Sequence, residues 1–299
     1  MKKVLLGLAL ASLVVLVAAP VSAIYKVELR DPNSRTTLTP GEYTYEYYDF
    51  RNIGSDIATT SPQVLRLGTS EPRDRGSAFY VPSDDPTLSA LPWASPNRAT
   101  SYAAFGVPIP VYAGSFGTMG FYLRVPNPLP SNVQVGKTYR EYFEWVVDDG
   151  GGWLGDDTKV YYDVTIDNKH AAYAGQSAYP TIPRGSSANV TIQFKNTGPT
   201  PWYKWGMRYS GMSAVRLGTS NPLDRGSGFY AAATTGWLGN SRIQLVEATV
   251  GAGDVGTFTF TLTAPAAMTP GVYYEYFRPI CEYVGWMEDS GVNLVVTVT

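Results

Sequence analysis

The chain has 299 residues, 44% hydrophobic and 16% charged, with Gly 30 and Pro 22. That is a globular, turn-rich composition and excludes a disordered chain. Lys+Arg 23 nearly balance Asp+Glu 25, and there is one His and one Cys. These counts exclude a phosphate-tracking nucleic-acid surface, a disulfide framework and a zinc cage of ordinary composition. A Cys/His nucleophilic pair would require His170 and Cys281 to meet, and no cofactor or metal is expected.

Met1-Lys2-Lys3, the apolar run Val4 to Ala19 and then Pro20-Val21-Ser22-Ala23 read as a bacterial-type secretory signal cleaved after Ala23. Retention of the run as a membrane anchor is the rival reading, weakened by its shortness and by Pro20. No Cys follows the run for lipid attachment, and no later stretch is long enough to span a bilayer. The mature chain is expected to be secreted or extracellular and associated with the cell surface. Removing 23 residues leaves 276, enough for two domains of roughly 140 residues.

The chain repeats itself. Arg66-Leu-Gly-Thr-Ser-Glu-Pro-Arg-Asp-Arg-Gly-Ser-Ala-Phe-Tyr80 returns as Arg216-Leu-Gly-Thr-Ser-Asn-Pro-Leu-Asp-Arg-Gly-Ser-Gly-Phe-Tyr230, identical at 12 of 15 positions. Around it, Phe50-Arg-Asn-Ile-Gly54 pairs with Phe194-Lys-Asn-Thr-Gly198, and Trp93 through Arg98 with Trp237 through Arg242. Ala113 through Gly117 pairs with Ala252 through Gly256, and Glu141-Tyr-Phe143 with Glu275-Tyr-Phe277. The expected organisation is 1–23 signal peptide, 24–167 first copy and 168–299 second copy.

Within each copy the apolar period is two. Val190, Ile192 and Phe194 alternate with polar residues, as do Phe258, Phe260 and Leu262, and Met119, Phe121 and Leu123 keep the same phase in copy one. Breaks such as Pro40-Gly41, Pro126-Asn-Pro128 and Pro270-Gly271 separate the strands. This predicts an all-β chain of two tandem immunoglobulin-like β-sandwiches, with about seven to nine strands each.

Phe194-Lys-Asn-Thr-Gly198, Trp202, Val250-Gly-Ala-Gly253, Phe258-Thr-Phe260, Ala264-Pro265 and Pro270-Gly-Val-Tyr273 together resemble the four-tryptophan domain. That immunoglobulin-like module is named from the NBR-type autophagy receptors and occurs in exported bacterial proteins. Copy one departs from the pattern, with Ile57-Ala58 at the place of Trp202. The resemblance implies a binding or spacer module, in bacteria often carried beside cell-wall or polysaccharide-acting domains.

The Leu-Gly-Thr-Ser-x-Pro-x-Asp-Arg-Gly-Ser signature admits a sugar or carboxylate site, but turn chemistry favours a structural staple in which Asp74, Arg75, Asp224 and Arg225 tie down a long loop. Trp93 and Trp237 stay five residues before Arg98 and Arg242, although the stretch leading to them differs by six residues. Each Trp either plugs the core or, with its Arg, forms an exposed recognition surface. The binding reading expects at least one of the two to be partly exposed beside its Arg. Trp153 and Trp286 are placed in the final hairpins, and Trp202 and Trp205 are expected inside. Tyr43, Tyr45 and Tyr47 alternate as though one sheet face were covered by the neighbouring domain.

The carboxylate pairs Asp84-Asp85, Asp148-Asp149 and Asp156-Asp157 lack ordered calcium-loop spacing, and Glu141, Glu144, Glu275 and Glu282 lack the partners of a glycosidase site. With no Gly-x-Ser-x-Gly elbow, phosphate loop or dinucleotide fingerprint, no catalysis is expected. The first functional expectation is a secreted, non-catalytic protein binding a polysaccharide, cell-wall or surface-protein partner through the sandwich loops. The second is a structural subunit of a surface layer or filament, self-assembled from its sandwiches.

Overall fold

The computed structural model describes residues 25–29, 33–57, 64–85, 88, 93–101, 111–148, 150–155, 158–207 and 213–299. The expected signal segment therefore lies outside the described residues. Copy one contains β1 (Val27–Leu29), β2 (Asn33–Leu38), β3 (Tyr43–Asn52), β4 (Leu65–Ser70), β5 (Arg98–Ser101), β6 (Phe116–Arg124), β7 (Thr138–Val147), β8 (Gly152–Trp153) and β9 (Val160–Ile166). Copy two contains β10 (Ala171–Gln176), β11 (Thr181–Ile182), β12 (Ser187–Asn196), β13 (Trp202–Tyr203), β14 (Val215–Ser220), β15 (Trp237–Gly239), β16 (Arg242–Gln244), β17 (Thr249–Val250), β18 (Val255–Thr263), β19 (Gly271–Cys281), β20 (Gly285–Trp286) and β21 (Asn293–Val298).

Each copy is a two-sheet sandwich. A three-stranded sheet, β1-β3-β6 or β10-β12-β18, packs on a larger one, β2-β9-β7-β4-β5 or β11-β21-β19-β14-β16-β15, and β8 and β20 add hairpin strands to β7 and β19. Pairing is antiparallel except for β2 with β9 and β11 with β21. Period-two alternation turns alternate side chains inward. Phe121 meets Phe143 across the sheets at 5.1 Å, and Phe260 meets Phe277 at 5.2 Å, so the same aromatic pair bridges the two layers in both copies. One core cluster runs from Val27 to Ile166 and the other from Ala171 to Val298.

The Phe-x-Asn-x-Gly repeat is a buried turn staple. Asn52 Nδ2 donates to Ser55 O and Val111 O while its Oδ1 accepts from Gly54 N. Asn196 likewise joins Thr200 O and Val250 O and accepts from Gly198 N. Trp202 is buried opposite Val250, as expected. Copy one seats Ile57 opposite Val111 there. Its buried Trp145 packs on Phe50 at 4.5 Å, at a position where copy two has Pro279.

The copies meet around the connector 167–170. Lys169 is fully buried, and its Nζ donates to Glu42 Oε1 of copy one at 2.6 Å and to Pro201 O of copy two at 2.8 Å. The other oxygen of Glu42 accepts from Thr39 N. Ser213 Oγ donates to Pro40 O, and Asn127 Nδ2 to Tyr283 O, across the same junction. Between the connector and copy two, His170 Nδ1 meets Glu288 and its Nε2 meets Asp167, which raises the imidazole pKa.

Candidate functional site

Each residue of the repeated signature has a local task. Gly68 and Gly218 leave room for an indole: a Cβ there would stand 2.6 Å from Trp153 Cη2 or 2.5 Å from Trp286 Cη2. Thr69 and Thr219 hydroxyls donate to Arg75 O and Arg225 O. The Arg75 and Arg225 guanidinium groups close back on Ser70 O and Ser220 O and pair with the buried Glu141 and Glu275. Asp74 and Asp224, both in the left-handed region at φ 63° and 62°, pair with Arg98 and Arg242. Those two arginines also hold Asp148 and Glu282 and lie over the Trp153 and Trp286 rings at 5.2 Å. The strand registers make Glu282 the equivalent of Asp148.

The tryptophans require corrections. Trp93 is 2% exposed, and its ring packs on Phe121 and Phe143 at 6.2 and 5.9 Å. It therefore presents no face to a partner. Trp237 is half-buried against Phe260 at 5.4 Å, so the expectation that at least one of the two is partly exposed holds for Trp237. Their indole N–H groups donate to Tyr122 O and Thr261 O, equivalent carbonyls on the edge strands β6 and β18. The same loops accept from Arg124 N and Thr263 N through Phe79 O and Phe229 O. The Trp is held because it closes an otherwise open sheet edge. Arg98 and Arg242 lie over Trp153 and Trp286 rather than forming the expected pairs with Trp93 and Trp237. Trp205, expected inside, is exposed and carries Arg216 over its ring at 4.3 Å.

His170 and Cys281 line one cavity of about 250 Å³, but burial pushes the Cys281 thiol up to about 12, the opposite of what a nucleophile needs. Asp85 is buried, paired with Arg124 and accepting from Leu88 N, while Asp148 is held between Arg66 and Arg98. Asp149, Asp156 and Asp157 lie outside the described residues.

A feature that sequence reading misplaced is the outer face of β3 and β6. Tyr45 and Tyr47 are 40% and 59% exposed, so the neighbouring domain does not cover them. Tyr122 packs on Tyr45 at 5.1 Å and Tyr43 at 5.5 Å, and Tyr47 lies opposite Gly120. In copy two the equivalent face, on β12 and β18, carries Ser187, Asn189, Thr191 and Thr261. Beneath the tyrosines, Glu46 accepts from Tyr162 and Thr44 hydroxyls, and burial raises its carboxyl pKa. Burial also raises the Tyr48 and Tyr162 hydroxyls. Copy two has Val190, Ile192 and Leu294 in those places.

No family model and no curated protein matches the chain. Among solved structures it is similar to a chimeric titin Z1Z2 functionalised with an exogenous decorin peptide, with 9% identity over 93% of this chain and 97% of that chain and a TM-score of 0.35. It is also similar to a protein of unknown function from Porphyromonas gingivalis, with 12% identity over 91% and 98% and a TM-score of 0.24. A third similarity is to the first two immunoglobulin domains of DIP-gamma, with 9% identity over 92% and 97% and a TM-score of 0.23. The immunoglobulin-like assignment rests on the two sandwiches themselves, and these similarities carry no functional argument.

Proposed function

We propose that the chain is an exported, non-catalytic binding protein of the cell surface whose first sandwich holds a polysaccharide against the tyrosine face of β3 and β6. The observation that carries this is the internal comparison: copy two builds the same sheet face from Ser, Asn and Thr, so folding does not require Tyr43, Tyr45, Tyr47 and Tyr122. Aromatic faces offer flat apolar area to the C–H side of a sugar ring, with hydroxyls at the rim for hydrogen bonds. The resemblance to the four-tryptophan domain supports a binding module, and the leader supports export. Closure of the β6 and β18 edges by the Trp93 and Trp237 loops leaves the filament alternative without those edges for pairing.

The test is co-sedimentation of the two-domain protein with cellulose, chitin and peptidoglycan. The Tyr45→Thr/Tyr47→Thr variant should keep its melting temperature and lose about thirtyfold in affinity, as expected for two stacking contacts of about 1 kcal/mol each. Unchanged affinity would remove the face from the binding surface. Failure of all three polymers to bind would remove this reading.

A further inference from the structure

The second copy contains a cleft of about 450 Å³ on the outer side of its large sheet, lined by Ser220, Asn221, Leu223, Tyr276, Arg278 and Asp289, with Pro222 and Gly291 completing the wall. Copy one occupies the same place with its own charges. There Arg73 makes two hydrogen bonds to the buried Glu144, its guanidinium lying over Trp153, and Lys159 pairs with Glu71. The strand registers make Arg278 the equivalent of Glu144, since each is opposite the signature glycine, Gly218 or Gly68. The repeat makes Leu223 the equivalent of Arg73 and Asn221 that of Glu71. Pairing of Glu141 with Tyr162 and of Glu275 with Leu294 makes Gly291 the equivalent of Lys159. Two ion pairs that fill copy one have been replaced together, and all four replacements line the cleft.

The replacement leaves a cation. Arg278 Nε donates to Met287 O at 2.6 Å, and among the described residues no carboxylate stands within ion-pair distance of it. Where copy one holds a carboxylate satisfied by an arginine, copy two holds a half-buried arginine facing an open cleft. A planar guanidinium matches a carboxylate through two parallel hydrogen bonds. The Tyr276 ring and Leu223 supply apolar contact area, and the Asp289 carboxylate on the wall calls for hydrogen-bond donors such as sugar hydroxyls while opposing a densely charged anion. We propose that this cleft binds an acidic saccharide, taking the carboxylate of a uronic acid unit on Arg278 and its hydroxyls on Asp289 and Ser220. The site is separate from the tyrosine face of copy one and stands without it.

Titration of the two-domain protein with trigalacturonate, its methyl ester and hexaglutamate tests the assignment. Trigalacturonate should bind, with an affinity that falls as salt is raised, and the methyl ester should bind at least about tenfold more weakly because it offers Arg278 no charge. Arg278→Gln should lose about the same factor. Leu223→Arg/Arg278→Glu rebuilds copy one's internal ion pair, so it should fold normally and abolish binding. Tyr45→Thr/Tyr47→Thr should leave this affinity unchanged, which separates the result from that for the tyrosine face. No binding of trigalacturonate, equal binding of the ester, or binding indifferent to both Arg278 variants would overturn the site. Hexaglutamate binding as tightly as trigalacturonate would overturn the saccharide assignment.

Discussion

At the residue scale, packing decides what sequence spacing cannot. The fixed interval from Trp93 to Arg98 and from Trp237 to Arg242 marks a constrained indole, but both a core plug and an interface anchor have that signature. The structure makes Trp93 a core plug and leaves Trp237 half-buried against its core, each with one polar task, the N–H donated to an edge-strand carbonyl. Trp93→Ala should therefore cost about 3–5 kcal/mol, read as a loss of denaturation midpoint at constant m-value, because it opens a cavity and an edge together. A change within about 0.5 kcal/mol would contradict the burial. Glu46 is a second case. Its folded carboxyl binds its proton more tightly than in the unfolded chain, so its contribution to stability is fully present below the unfolded value of about 4.3 and is lost as pH rises through the raised folded value. Glu46→Gln keeps an acceptor for Tyr162 and Thr44 and removes the buried charge. Its melting temperature relative to the parent should therefore rise between pH 4 and pH 8, and a pH-independent difference would exclude a buried ionised carboxyl. The sequence gives no sign of this cluster, because a Glu in the alternating run of β3 reads as solvated until Tyr162 is brought to it from β9.

At the scale of elements, the repeat reveals the strands and the stapled loop but not which partner each charge takes. The alternation in β12 and β18 and the turn chemistry around Asp74 and Asp224 were readable, because each depends on residues close in sequence, whereas the Phe-x-Asn-x-Gly repeat showed only as a repeat, its Asn52 and Asn196 reaching Val111 O and Val250 O far along the chain. The Arg75–Glu141 and Arg225–Glu275 pairs join residues 66 and 50 positions apart, and sheet register alone brings them together. This separation ranks two substitutions in the same loop. Asp224 is half exposed, and its partner Arg242 keeps Glu282, so Asp224→Ala should cost only about 0.5–1 kcal/mol. Arg225→Met strands the carboxylate of Glu275, which is 5% exposed, and should cost about 3–5 kcal/mol. Equal losses of denaturation midpoint in the two variants would refute the burial argument. The cleft beside Arg278 was illegible for a related reason. Leu223 and Arg278 are unremarkable one at a time, and their replacement as a pair shows only when both copies are superposed strand by strand.

For the whole molecule, each core is drawn from its own copy, so copy two expressed from residue 168 should unfold as one cooperative all-β unit. What joins the copies is the buried Lys169–Glu42 pair, a contact that sequence could not announce because it spans 127 positions. The nearby His170–Glu288 pair is half exposed and adds little. His170 is raised chiefly by its bond to Glu288. Glu288 is lowered despite the opposing effect of burial, by Ala171 N–H and the imidazole. The stability of that pair is present between the unfolded values of about 4.3 and about 6.5 and is lost on either side as pH passes the folded values. Lys169 and Glu42 are different, because neither reaches water while the copies are docked. Removing one partner leaves a charge in a dry junction at a cost of about 3–5 kcal/mol, whereas replacing both with apolar side chains of similar volume is often neutral. A sandwich whose core lies elsewhere can escape that cost by undocking. Lys169→Met should therefore leave the melting of each copy close to that of the isolated domain while uncoupling them, so that one calorimetric transition becomes two and the radius of gyration rises. Adding Glu42→Leu should restore the docked form. A Lys169→Met protein that stayed compact and melted in a single transition at the parent temperature would show that the hydrogen bonds of Ser213 and Asn127 hold the junction without the buried pair.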